Sequence, residues 1–456
     1  MPTRPGSPPE QDDAVPAGRA IDREVTRLAV PALGALLAPP LFLLADAAIV
    51  GRLGSAPLAG LGLAGAVLTT VTALSIFLAY GTTGSVARLL GSGDVPGALR
   101  HGVSAMWLGA GIGTVAATVG WGVSEPVVAL FGAPDDVADE AVAYLQVGWW
   151  GVPALLVSLA GTGVLRGMQD TRTPLVVAAS GAVVNVVLNV VLVLVLGLEI
   201  AGAALGTVLT EVAMALALGL VVARGARAHD VGLRPHRGDL TSSWRAGWPL
   251  LVRTAAMRVA LLVATAVAAR LGTSGLAAFN VAYVIWGLLA LALDALAIAA
   301  QALVGRYLGA GDPGPVRALT ARLVRWGAVG GLALGLVTAA VAVPIAPLFS
   351  DDPQVHRLLV VALLVVAVLA PLAGWVFVLD GILIGAGDGR YLALAAIAAT
   401  VAFVPAALLA AALADTRGSM VGIAALWASI GVWMIARVVT LAPRAASERW
   451  LRTGLG

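Results

Sequence analysis

No cysteine and no lysine occur among the 456 residues, histidine appears four times, and only 12% of the chain is charged. Without cysteine there are no disulfides, no thiolate metal ligands and no thiol nucleophile. The four histidines, His101, His229, His236 and His356, fall far apart in expected loops or helix ends, so neither a metal centre nor a bound cofactor is expected. HExxH and GxSxG patterns are missing too, and no motif holds paired carboxylates, which argues against an enzyme. A charged fraction of about a quarter is usual for soluble domains. Half of that, beside 60% hydrophobic residues, describes a chain that lives in a lipid bilayer. The net charge of +3 then belongs to arginines at the bilayer's edge, not to a nucleic-acid surface.

What is present is long apolar runs. A bilayer span needs roughly 20 such residues, and there are twelve runs, six between about residues 28 and 223 and six between about 246 and 441. The two sets repeat at a constant spacing of 218 residues. Pro31 returns as Pro249, Arg52-Leu53-Gly54 as Arg270-Leu271-Gly272, and Gly91-Ser92-Gly93-Asp94 as Gly309-Ala310-Gly311-Asp312. Arg88 returns as Arg306, Pro153 as Pro371 and Asp170 as Asp388. The chain is therefore expected to be an all-α membrane protein of twelve transmembrane helices in two parallel six-helix repeats, the internal symmetry of a secondary transporter. Six spans is an even number, so both halves enter from the same side. The glycines and aspartates of the two GxGD motifs are expected to stop one helix and cap the next.

These landmarks divide the chain into a proline-rich disordered tail (1–21), an N-lobe (22–223), a polar linker (224–245), a C-lobe (246–443) and a second tail (444–456). With both termini in the cytoplasm, 22 of the 28 arginines fall inside, four outside (Arg52, Arg270, Arg357, Arg417) and two within span 7. That bias sets the expected orientation.

Function is expected where the halves differ. A charge at mid-membrane costs roughly 2.5–3.5 kcal/mol on insertion scales, so each one needs a reason. At the 218-residue spacing Asp46 meets Ala264, Arg253 meets Ala35, Arg258 meets Pro40, Asp294 meets Ile76 and Asp380 meets Thr162, while Glu211 meets no acid. Asp46 follows Pro31 and Pro40, which are candidate hinges of span 1. Desolvation beside an apolar cavity favours the neutral form of a carboxylate, the behaviour of a proton carrier; the alternative is a helix-end aspartate paired with Arg52. Asp294 and Gln301 lie seven apart on one face of span 8, and Asn185 and Asn189 four apart on one face of span 5, as cavity lining or as bonds between helices. Arg253, Arg258 and Glu211 suggest a buried ion pair between spans 6 and 7. Asp380, near the end of span 10, reads as a snorkelling or capping group. The tryptophans, Trp286 and Trp433 among them, read as interface or packing residues.

The runs LFLLADAAIVGRLG (Leu41 to Gly54), GTTGSVARLLGSGD (Gly81 to Asp94), LALDALAIAAQALVGRYLGAGD (Leu291 to Asp312) and FVLDGILIGAGD (Phe377 to Asp388) resemble the multidrug and toxic compound extrusion (MATE) family, and within it the DinF-like branch. The resemblance extends from about residue 22 to 443. It implies two six-helix lobes around a V-shaped cavity, a monomer of the cell membrane, and export of amphipathic, often cationic, small molecules in exchange for protons or sodium ions. It also implies a coupling role for the span 1 aspartate, here Asp46, and places Asn185, Asn189 and Gln301 at polar positions of the cavity; Asp294, Glu211 and Arg253 join them as substrate or cavity candidates on the ground that they are unmatched polar or charged groups within the spans. Asn189 stands where the branch often has Asp, and Gln301 where some members have Glu, so both lobes are expected to be less acidic than usual. A flippase of a lipid-linked amphiphile is the other transport reading, which a strongly cationic cavity favours.

Overall fold

The computed structural model describes residues 18–454. Among the described residues twelve helices are long and apolar enough to cross a membrane: α1 Gly18–Val50, α2 Ser55–Gly91, α3 Val95–Gly122, α4 Asp135–Gly167, α5 Arg172–Val195 and α6 Glu199–Ala228 in the first half. In the second half they are α7 Arg237–Arg270, α8 Gly272–Gly309, α9 Pro313–Leu348, α10 Pro353–Gly385, α11 Gly389–Arg417 and α12 Ser419–Ala446. Packing repeats with the sequence. In the N-lobe α4 lies against α2, α3 and α6, and α5 against α1 and α6; in the C-lobe α10 lies against α8, α9 and α12, and α11 against α7 and α12. The lobes meet through α2 and α8, with α1 on α8 and α7 on α2.

The repeated glycine motifs make that meeting close. A methyl group added at Gly91 would stand 1.9 Å from the Arg306 carbonyl oxygen, and one at Gly309 would stand 2.0 Å from that of Arg88, so α2 and α8 cross backbone to backbone. Gly93 and Gly311, with φ of 81° and 82°, take the left-handed conformation that ends each helix. Asp94 then accepts from the Gly97 N–H at 2.8 Å and Asp312 from the Gly314 N–H at 2.9 Å, capping α3 and α9 as expected.

Both ends of the described chain lie at this crossing. Glu24 pairs with Arg306 at 3.0 Å and accepts from the Tyr307 hydroxyl at 3.1 Å, Asp22 pairs with Arg322, and the Gly454 N–H donates to the Leu308 carbonyl at 3.0 Å. Arg88 donates to the carbonyls of Ala386 (2.6 Å), Arg452 (3.1 Å) and Gly454 (3.3 Å). These bonds tie the two lobes together at the terminal face. Among the described residues, the side-chain hydrogen bonds that join the lobes run from here to Tyr80 and no further toward the opposite face.

Several boundaries differ from expectation because helical hydrogen bonding continues past the apolar run. The N-terminal tail lies mostly outside the described residues, and residues 18–21 are already helical. Of the 224–245 linker only residues 229–236 fall outside helices, and they dock on α3 through Trp107 to the Leu233 carbonyl (2.9 Å) and the His236 N–H to Ser104 (3.1 Å). The 444–456 segment begins inside α12 and then returns across the lobe junction. α1 runs unbroken through Pro31, Pro39 and Pro40.

Candidate functional site

Polar side chains gather in two places, one in each lobe. In the N-lobe, α1, α5 and α6 converge on Asp46, which is 3% exposed. Asn189 donates to one carboxylate oxygen, and the Thr207 hydroxyl lies 3.4 Å from the other. Asn185 lies 3.4 Å from Thr207 and from the Asn189 amide nitrogen. Asn189 closes the α-helical part of α5, and a π-helical turn, Val190–Val195, follows it. Such turns re-aim the residues beside them. Opposite stands Gly206, where a methyl group would lie 2.0 Å from the Asn189 side-chain oxygen. That oxygen is buried and has no hydrogen-bond partner. The site is thus one carboxylate among neutral amides and a hydroxyl, with an unpaired acceptor beside it. Arg52 is exposed, so Asp46 is not its surface partner.

The C-lobe holds a cavity of about 370 Å³ walled by α7, α8, α10, α11 and α12, with Tyr80 of α2 closing it toward the N-lobe. Arg253, Arg258, Arg437, Asp294, Asp380 and Gln301 all line it. Asp380 is clamped between Arg253, at 2.5 Å, and Arg437. The Tyr80 hydroxyl lies 3.0 Å from both oxygens of Asp294, and Gln301 donates to the Tyr80 carbonyl. Gln301 and Asp294 therefore share a face and a partner. Aromatic rings complete the wall, Trp286, Trp433 and Phe403 among them, so Trp286 and Trp433 are cavity residues and not only packing.

Three sequence readings are corrected. Arg253 pairs with Asp380 on α10, not with Glu211 on α6, and one Glu211 oxygen is buried without a partner among the described residues. Asp380 does not snorkel or cap; two guanidinium groups hold it inside the lobe. Arg437 and Arg166, placed on the cytoplasmic side by the arginine count, are buried at 3% and 7% exposure, Arg437 well inside α12 against Asp380 and Arg166 in the last turn of α4. Thr207, Tyr80 and Arg437 went unnoticed. The asymmetry that singled out Asp46 applies to Tyr80 and Arg437 as well, since the 218-residue spacing sets them against Ile298 and Gly219.

Comparison with known proteins agrees with this architecture. The MatE family model matches twice, over residues 31–191 and 249–409, which are offset by the same 218 residues. Protein DETOXIFICATION 43 of Arabidopsis thaliana is 30% identical over 93% of this chain and 90% of its own length. The DNA damage-inducible protein F of Escherichia coli is 27% identical over 80% of this chain and 81% of its own. In structure, a mutant of the Vibrio cholerae MATE transporter VcmN superposes with a TM-score of 0.85 over 95% of this chain and 99% of that one, at 20% identity, which shows the shared fold. With two family matches that together cover most of the chain, and a curated relative matched over nearly its full length, the chain belongs to the MatE family of multidrug and toxic compound extrusion transporters.

Proposed function

We propose that the chain is a secondary exporter that exchanges amphipathic small molecules for a proton carried by Asp46. On this reading it works as a monomer in the cell membrane, with the terminal face toward the cytoplasm. The observation that carries the proposal is the N-lobe cluster: a buried carboxylate with no cationic partner among the described residues, held by Asn189 and Thr207. A buried charge without a counter-charge is costly, and a single monovalent cation removes it. The proton is preferred to sodium because Asn189 turns an N–H toward Asp46. A proton can add to the other carboxylate oxygen with that bond intact, whereas a metal ion there gains no ligand from the Asn189 amide as it stands.

Antiport requires only that cation and substrate disfavour each other's binding. Protonation of Asp46 removes a negative charge from the face where α1, α5 and α6 meet, and the three prolines of α1 supply places where that helix can bend. The test is exchange in proteoliposomes loaded with a panel of amphipathic dyes, under a pH gradient, with and without sodium. Dye movement that follows the pH gradient in sodium-free buffer is expected. Movement that follows sodium alone assigns the coupling to sodium, and movement with neither gradient ends the antiporter reading.

A further inference from the structure

The walls of the C-lobe cavity do not balance in charge. Three guanidinium groups, Arg253, Arg258 and Arg437, face two carboxylates, Asp294 and Asp380. Asp380 is already shared by two arginines, and Asp294 is engaged by Tyr80. Arg437 uses one terminal nitrogen on Asp380; its other, Nη1, is buried without a hydrogen-bond partner among the described residues. The guanidinium is also held in place, 5.3 Å from the Trp433 ring centroid. Arg437 is thus a rigid, half-used fork in the wall of an aromatic cavity. A cationic substrate, the class the family resemblance implies, meets a wall with an excess positive charge.

We infer that this cavity binds an organic anion, an aromatic or amphipathic carboxylate, with its carboxylate on the free edge of Arg437 and its ring system against Trp286, Trp433 and Phe403. A planar carboxylate matches the guanidinium fork and forms charge-assisted hydrogen bonds there. It also supplies the counter-charge that the buried arginines lack. The volume of about 370 Å³ suits a one- or two-ring compound. The inference rests on the exporter reading only in treating the bound compound as cargo; the binding itself does not depend on it.

Calorimetric titration of the purified full-length chain in detergent with naphthalene-2-carboxylate, its neutral alcohol analogue and its methylammonium analogue tests it. The carboxylate is expected to bind at least roughly tenfold more tightly than the alcohol, the scale of one charge-assisted hydrogen bond, and the ammonium most weakly. Arg437→Gln should erase the preference for carboxylate over alcohol while the alcohol keeps its affinity, and Arg437→Lys should restore part of it. Ammonium binding as tight as carboxylate, or an Arg437→Gln protein that still prefers carboxylate, overturns the inference. If Arg437→Gln does not elute as a folded monodisperse protein, Arg258→Gln is the second variant. It leaves the Asp380 pairs intact and should lower the carboxylate preference severalfold; an unchanged preference there also overturns the inference. Titration needs no gradient, so failed exchange in vesicles leaves this result standing, and proton-driven exchange without carboxylate preference removes the anion assignment alone.

Discussion

In the N-lobe one carboxylate sits among amides and a hydroxyl with no arginine bonded to it, whereas the C-lobe cavity carries three arginines and two aspartates on its walls. The repeat register makes the contrast sharper. Asp46, Asn185 and Asn189 are set against Ala264, Phe403 and Ala407, all apolar, and Ala264 and Phe403 line the C-lobe cavity. In the other direction Arg253, Asp380 and Arg437 are set against Ala35, Thr162 and Gly219. Helix order, packing partners and glycine crossings are the same in both halves; ionisable chemistry is not. A duplicated scaffold thus holds one site fit to gain and lose a single charge and another that keeps permanent charges in a clamp.

The comparison can be broken most severely at Asp46. Asp46→Asn should insert and fold but lose dye exchange driven by a pH gradient. A coupling free energy of about 1–3 kcal/mol, or roughly 5- to 150-fold in affinity, should vanish with it. Proteoliposomes containing the variant measure this, and wild-type exchange rates place the coupling group elsewhere, with Asp294 and Glu211 next in line. At Asp380 the effect should fall on stability. Asp380→Asn leaves Arg253 and Arg437 buried without a counter-charge, a loss of about 3–5 kcal/mol on removing one partner of a buried ion cluster. Thermal unfolding in detergent should show a clear fall, and adding Arg437→Met should recover much of it. A single variant as stable as the wild type contradicts the clamp.

Smaller changes sharpen the contrast. Asn189→Ala removes the closest donor to Asp46; a hydrogen bond to a charged group is worth about 1.5–3 kcal/mol, so exchange should slow by roughly tenfold or more. Carboxylate binding in the C-lobe should not change, and a loss there shows that the two sites are not separate. The least effect is expected from Arg234→Gln combined with Arg237→Gln, two exposed positions at the linker and the start of α7. Surface changes of this kind stay within about 0.5 kcal/mol, and the rank order of dyes in vesicle exchange should be preserved. An altered rank order makes the linker part of substrate choice.

The scaffold was largely legible in the chain, and the sites only in part. Asp46, Asn185 and Asn189 stood out individually, because a mid-span acid without a repeat counterpart and two amides four apart are local patterns. Asp380 reads as a helix-end group because it is five residues from the end of α10, and the two arginines that hold it come from α7 and α12, which its own span cannot show. Arg166 lies where α4 continues past its apolar run, because a helix lasts as long as its own hydrogen bonds do, whereas Arg437 lies inside the run of span 12 and is held there by Asp380 of α10, a partner that hydropathy does not reveal. Glu211 looked like a partner for Arg253 because spans 6 and 7 are consecutive, yet α7 packs on α11 and α2.

What the sequence determined alone is what depends on neighbours along the chain: a membrane protein, twelve helices, a duplication at 218 residues, and helix stops and caps at the GxGD motifs. Tertiary structure decided which charges meet. Asp46 reaches across 143 residues to Asn189, Arg253 across 127 to Asp380, and Arg437 across 57 to the same carboxylate. Pairings of that kind depend on which faces of distant helices are pressed together. In this fold those faces are set by glycine-lined crossings such as Gly91 on Arg306 and Gly309 on Arg88, where only the absence of a side chain lets the backbones come close enough.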